Sequence, residues 1–289
     1  MVRPRRSALY LPATNARAIE KARTLPADVI ILDLEDAVAP EAKADARAQA
    51  ADAVRGGGFG GREVVIRVNG LDTPWGRDDL AAAAAAGPDA VLVPKIAGPA
   101  DLAAYAAALP AETRLWAMIE TCRAILRLDA IGEACAAGRC DAWIVGANDL
   151  VKEMRCRPDA ARRPLLPALT QAVLAARAHG LAVLDGVWND IPDLDGLARE
   201  CRQGADLGFD GKSLIHPSHL AAANAAFAPE PDEVAWARTV AAAFDAPEAA
   251  GKGVLKVEGR MVERLHLEQA RRLIAIHEAI AAHEVSGAR

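Results

Sequence analysis

Residues 28–38 read DVIILDLEDAV. From 29 to 34 both faces of an extended chain would be apolar, broken only at Asp33, and the acids Asp33, Glu35 and Asp36 gather at the end of the run. A strand apolar on both faces is covered on both sides, as in a parallel sheet flanked by helices. Pro40 follows, then a helical pattern over 41–54 that stops before the glycines at 56–58, then a second apolar run, VVIRV, at 64–68. Strand, helix and strand with polar residues after each strand make a βαβ unit.

The same alternation extends in both directions. Strand signals fall at 8–11, 29–34, 64–68, 90–93, 115–119, 142–145, 182–184 and 210–215, the last the weakest in composition. Helical patterns fall between them at 15–23, 41–54, 100–109, 164–178 and 194–202. Eight strands with seven crossovers predict an α/β fold, a (β/α)8 TIM barrel. A doubly wound open sheet is the rival, but no GxGxxG follows the first strand and the glycines at 56–61 precede a strand instead of opening a helix. Beyond an eighth helix at 216–227 the pattern changes to a helix at 232–244, a glycine-bearing loop or hairpin at 251–260 and an amphipathic helix at 267–284. The expected organisation is a catalytic barrel over 1–228 and a C-terminal helical and hairpin extension over 229–289. The extension is too short for a core of its own and is expected to pack on the barrel or on an adjacent subunit.

Composition narrows the function. The 289 residues are 52% hydrophobic, enough to bury a core and against disorder. Acids outnumber bases 39 to 34, against a polybasic nucleic-acid binder. No apolar run approaches the roughly 20 residues of a membrane span, and the N-terminus has no apolar core of signal-peptide length. Five cysteines at irregular spacing predict reduced thiols and a cytoplasmic location.

In such barrels the chemistry sits at the C-terminal strand ends. Glu120 and Asp149 end neighbouring strands one βα unit apart, so both carboxylates could face one point. Hard oxygens without nearby His or Cys suit Mg2+ better than Zn2+; the alternative is a solvated loop carboxylate or a helix N-cap. Arg67 lies inside an apolar strand and must be paired, either with a substrate carboxylate or with Glu35 or Asp36. Asp33, Glu35 and Asp36 need compensating cations, for which Arg67, Lys95, Lys43 or a hydrated metal would serve. Asp36 therefore counts among the catalytic candidates through a network that orients Arg67 and metal-bound water. Asp185, Lys212 and His216 also lie around strand ends, His216 more plausibly structural than a base. Arg5, Arg6 and Lys21 form a small basic group near the first strand.

The segments RSALYLPATN, DVIILDLEDAV, VVIRVNG, VLVPKI, AMIET, VGANDL, LDGVWNDIPDLDGL, GFDGKSLIHPSH and GRMVERLHLEQARRL, in this order over nearly the whole chain, resemble the HpcH/HpaI aldolase and citrate lyase β-subunit-like family. The resemblance implies a Mg2+-dependent carbon–carbon lyase that cleaves or forms a 3-hydroxyacyl-CoA of the malyl or citramalyl type, giving a thioester and a 2-oxo acid. It implies Glu120 and Asp149 as metal ligands, with Glu120 thereby at the substrate, and Arg67 as the grip on the substrate carboxylate or oxyanion. More weakly it implies Arg6 and Lys21 as CoA-phosphate contacts. CoA-using members place a tail aspartate in an adjacent subunit's site, usually in a homotrimer or homohexamer. Here that position is Glu263, longer by about 1.5 Å, one C–C bond, and it is the candidate acid/base. A subunit acting on an acyl-carrier-protein thioester and a non-catalytic ligand-binding barrel are the alternatives.

Overall fold

The computed structural model describes residues 3–287, with the side chains of Glu248 and of residues 285–287 excepted. The chain divides into two compact units, one of Arg5–Phe227 and one of the residues from Ala228 onward together with those before Arg5. The first is a closed barrel of eight strands in sequence order, all neighbours parallel, with β8 returning to β1. The strands are β1 (Ser7–Pro12), β2 (Val29–Asp33), β3 (Glu63–Arg67), β4 (Ala90–Val93), β5 (Arg114–Ile119), β6 (Cys140–Val145), β7 (Ala182–Asp185) and β8 (Gly211–Leu214). The predicted TIM barrel is the observed fold.

Period-two alternation sorts every strand into two cores. Tyr10, Ile31, Val65, Trp116, Ile144 and Leu184 fill the barrel interior. Their neighbours Leu9, Ile30, Ile66, Ala117, Trp143 and Val183 face the helices. Both faces are dry, which is why the strands read as continuous apolar runs. Towards the N-terminal strand ends Glu63 forks Arg5 at 2.8 and 2.9 Å, and the guanidinium lies 4.8 Å from the Trp116 ring centroid.

The eighth unit departs from expectation. A helix over 216–227 was expected, but His216 is extended and its ring accepts from Ser218 N as a cap. Pro217 opens a 3-10 turn, and the α-helix begins only at Leu220. A helix at Gly76–Ala86, missing from the sequence reading, supplies the third crossover. Its alanines carry too weak an apolar stripe to stand out by periodicity.

Asp185 and Lys212, expected around the strand mouths, face outward instead, in alternation with the inward Leu184 and Ser213. They form a buried cluster: Arg162 Nη1 donates to both Asp185 oxygens at 2.8 Å, and Lys212 Nζ reaches Asp185 at 3.1 Å and Glu200 at 2.7 Å. Burial alone would raise the Asp185 carboxyl, but the Lys212 and Arg162 charges outweigh it and hold it below its ordinary value. With the folded value below the unfolded one, this stabilisation is present above about pH 3.9 and is lost as pH falls through the folded value. The Asp185 contribution to the urea midpoint, read as the difference between wild type and Asp185→Asn, is therefore expected to hold level from about pH 7 to 5 and to fall below about pH 4. Identical acid slopes in the two proteins would exclude the contribution.

The second unit contains a helix at Pro231–Asp245, an antiparallel hairpin of β9 (Val254–Val257) and β10 (Arg260–Glu263), and a helix at Arg264–Gly287. The glycine-bearing segment is thus a hairpin. Glu258 and Gly259, its two loop residues, both have positive φ, at 47° and 82°. That matches the type I′ turn whose twist suits paired strands. Among the described residues no helix is long and apolar enough to cross a membrane.

Candidate active site

The C-terminal ends of the barrel strands enclose a cleft of about 320 Å3. Asp33, Asp36, Arg67, Glu120 and Asp149 all line it. The fold thus brings together five of the residues singled out in the sequence, four carboxylates and one guanidinium.

Asp33 and Arg67 end adjacent strands and are register partners across β2 and β3. The alternation that turns Ile31 and Val65 into the barrel turns these two inward as well. Asp33 takes Arg67 in a fork, Nε to Oδ1 and Nη2 to Oδ2, both at 2.6 Å. The same carboxylate accepts from Glu35 N at 2.9 Å and Ala37 N at 3.2 Å, so it also shapes the acidic turn. The expected partners were a substrate carboxylate or Glu35 or Asp36; the chief partner is Asp33, and Glu35 and Asp36 are secondary ones. Glu35 Oε2 and Asp36 Oδ2 lie 3.0 and 3.5 Å from the remaining nitrogen, Nη1. The Tyr10 ring lies 4.8 Å from the guanidinium carbon. Burial would lower the guanidinium, but Asp33 and its neighbours hold it well above the ordinary arginine value.

Lys43 makes no direct ion pair with the three carboxylates, although the charges of Asp33, Glu35 and Asp36 act on it through space. Its buried ammonium donates to the Leu34 and Glu35 carbonyls at 2.7 Å each and to Asn69 Oδ1 at 2.8 Å, clamping the backbone of the acidic turn. Asp36 stays largely exposed, 3.5 Å from Arg67 Nη1.

Glu120 follows β5 and is 2% exposed. Its Oε1 accepts from Lys95 N at 2.8 Å. Its Oε2 faces Gly146, where an added Cβ would lie 2.3 Å away, so glycine is needed here for close approach. Burial, and then the negative charge of Glu35, push the Glu120 carboxyl up to about 7. Asp149 is half-buried in the first turn of the helix Ala147–Met154, and Gly146, not Asp149, is the N-cap. The N-cap alternative is thereby removed, and both carboxylates border one cleft.

A divalent cation fits this donor set. Four acids against one guanidinium leave the lining short of positive charge, and a cation would relieve the burial penalty on Glu120. Among the described residues no group of three or more His, Cys, Asp or Glu could hold a metal. Two carboxylates with water and substrate oxygens completing the shell is the arrangement Mg2+ accepts and Zn2+ does not favour.

Arg6 and Lys21 are not brought to the cleft. Arg6 precedes β1, at the opposite end of the barrel, is 5% exposed, and forks Asp28 at 3.0 and 2.9 Å. Lys21 is exposed in the last turn of the helix Ala16–Ala22, which runs away from the strand mouths. A CoA-phosphate role for Arg6 is accordingly set aside. Glu263 ends β10 in the second unit, with its carboxylate exposed and its N–H donating to His266 Nδ1 at 2.9 Å.

Some lining residues escaped the sequence reading. Tyr10 was legible from the alternation of SALYLP, which puts it on the face of Ala8. Asn189 pairs with Asn148 through two reciprocal amide bonds of 3.1 and 2.7 Å at the rim, and no local signal marks it.

Comparison with known proteins bears on what this cleft does. The HpcH/HpaI aldolase/citrate lyase family model matches residues 6–217. The chain is 48% identical over 285 residues to a (3S)-malyl-CoA thioesterase of Cereibacter sphaeroides, covering 98% of each. It is 34% identical over 309 residues to an L-malyl-CoA/beta-methylmalyl-CoA lyase of the same organism, covering 97% of this chain and 96% of that one. Among solved structures it is similar to CitE from Mycobacterium tuberculosis in complex with magnesium, acetoacetate and coenzyme A. That similarity has a TM-score of 0.76 and 31% identity over 94% of this chain and 97% of that chain.

Proposed function

The chain belongs to the HpcH/HpaI aldolase/citrate lyase family, and on that premise we propose that it is a Mg2+-dependent enzyme of malyl-type 3-hydroxyacyl-CoA esters whose reaction is thioester hydrolysis. One observation carries the proposal: Glu120, Asp149 and Arg67 line a single small cleft at the barrel mouth. About 320 Å3 is at the small end of ligand pockets. It suits a four-carbon hydroxy-acid head, with the CoA moiety left outside.

Glu120 and Asp149 would hold the metal, which when bound supplies a Lewis acid for the oxygens of the hydroxy acid. Arg67 would bind the acid's carboxylate through Nη1, since Nε and Nη2 are taken by Asp33. Tyr10, Met118 and Val145 also line the cleft and would help exclude water from it. Glu263, supplied by a neighbouring copy in a homotrimer or homohexamer, is the proposed proton acceptor, as the family resemblance suggests. In hydrolysis it would take a proton from water as the carbonyl C–O bond forms and return it to sulfur as the C–S bond breaks, leaving malate and free CoA thiol.

The carbon–carbon cleavage implied by the sequence resemblance is the second reading, favoured by the malyl-CoA lyase relative at 34%. There the bond between the hydroxyl-bearing and α carbons breaks, giving acetyl-CoA and glyoxylate. The 48% relative favours hydrolysis, and the CoA esters named for both relatives favour free CoA over an acyl carrier protein.

The expected result with malyl-CoA and Mg2+ is equal release of malate and CoA thiol without glyoxylate, abolished by EDTA and restored by added Mg2+. Glyoxylate with acetyl-CoA would move the assignment to the lyase. Turnover unaffected by EDTA would sink the metal assignment.

A further inference from the structure

Lys95 stands two residues after the end of β4 with φ +52°. A side-chain-bearing residue adopts this left-handed conformation rarely, and such strain concentrates where the surrounding structure uses it. Two contacts account for it here. The turn aims Lys95 N–H at Glu120 Oε1, at 2.8 Å. It also sends the ammonium to Glu35 Oε1.

Glu35 is the sensitive member of this arrangement. Its Oε2 lies 3.0 Å from Arg67 Nη1, yet that buried oxygen has no aligned hydrogen bond. With the other oxygen held by Lys95, the carboxylate stands at ion-pair distance from Arg67 Nη1 but is not aligned for a hydrogen bond to it. Nη1 is the one guanidinium nitrogen outside the Asp33 fork. Were Glu35 released, its carboxylate could turn and take Nη1 in a charge-assisted bond.

We propose that Lys95 is a positioning residue that restrains Glu35 through its ammonium, and so leaves Arg67 Nη1, held otherwise only by a long 3.5 Å bond to the exposed Asp36, available to the carboxylate of the ligand, while its backbone amide fixes Glu120, the proposed metal ligand. The role rests on the proposed reading of Arg67 and Glu120. The Lys95 side chain is 49% exposed, so its pair with Glu35 adds little to stability and its worth lies in orientation.

Calorimetric titration of the full chain with Mg2+ alone, and with malate in the presence of Mg2+, tests this without requiring turnover. Lys95→Met is expected to weaken malate binding about tenfold or more, the scale of a lost charge-assisted hydrogen bond. Mg2+ alone should bind Lys95→Met at least as tightly as wild type, because a positive charge near Glu120 has gone. Lys95→Arg should bind malate within about threefold of wild type, and Glu35→Gln placed on Lys95→Met should restore malate binding, a non-additive cycle. Lys95→Gly, which suits the left-handed backbone, replaces Lys95→Met if the latter lowers the melting temperature.

Wild-type malate affinity in Lys95→Met, or a double variant weaker than Lys95→Met, overturns the proposal. So does joint loss of Mg2+ and malate binding that neither partner change repairs. Malyl-CoA is assayed in parallel: an inert wild type that still binds malate counts against the proposed reaction and leaves the Lys95 result standing. A wild type that binds neither Mg2+ nor malate overturns both.

Discussion

Glu120→Gln combined with Asp149→Asn is expected to lower Mg2+-dependent turnover of malyl-CoA by about a thousandfold or more, the loss typical when the main electrostatic stabiliser of an acyl-transfer site is removed. The argument is electrostatic first. Both carboxylates line the cleft, and no His or Cys lies among its lining residues to replace them as donors. A neutral amide offers a far weaker oxygen to a doubly charged cation. The fold should be untouched. Glu120 is buried and pushed up to about 7 by burial and by Glu35, so a neutral isostere removes repulsion and breaks no ion pair. The melting temperature should equal or exceed that of wild type, while calorimetry shows Mg2+ binding lost. Retained turnover in the double variant would remove these residues from the metal site, and a large fall in melting temperature would make them structural.

Arg67→Met separates two roles in the opposite way. The substitution leaves Asp33, 1% exposed, without the cation that forks it at 2.6 Å twice. Breaking one side of a buried pair costs about 3–5 kcal/mol, because the remaining charge is uncompensated. Chemical denaturation should register that loss. Adding Asp33→Asn removes the stranded charge and should recover most of the stability. It cannot restore a guanidinium to the cleft, so malyl-CoA turnover should remain lost in the double variant. Recovery of turnover along with stability would mean that Arg67 serves the barrel and not the ligand. Arg67→Lys should behave as a partial loss in both assays, since an ammonium cannot make two parallel bonds to one carboxylate.

Much of this was legible in the chain. The apolar runs at 29–34, 64–68 and 90–93 located strands because a parallel barrel buries both faces. Glu120, Asp149 and Arg67 were legible because polar residues at the ends of such strands stand out against them. The helix Gly76–Ala86 was not, because alanine marks no face. Arg6 misled for a different reason. Its charge is visible in sequence, but its cancellation by Asp28 is visible only in space, where the residues preceding β1 and β2 meet.

What the sequence determined by itself was the kind of chain: a repeating strand and helix order closing into a barrel, with acids and one arginine placed at the strand ends. Hydrophobic periodicity is a local property, and local order suffices to read it. Tertiary structure alone decided partnership. It gave Arg67 to Asp33 across the β2–β3 register, turned Asp185 and Lys212 away from the mouth, and set Lys95 between Glu35 and Glu120. Charges act through distance in space and through burial, and neither quantity exists until the barrel has closed.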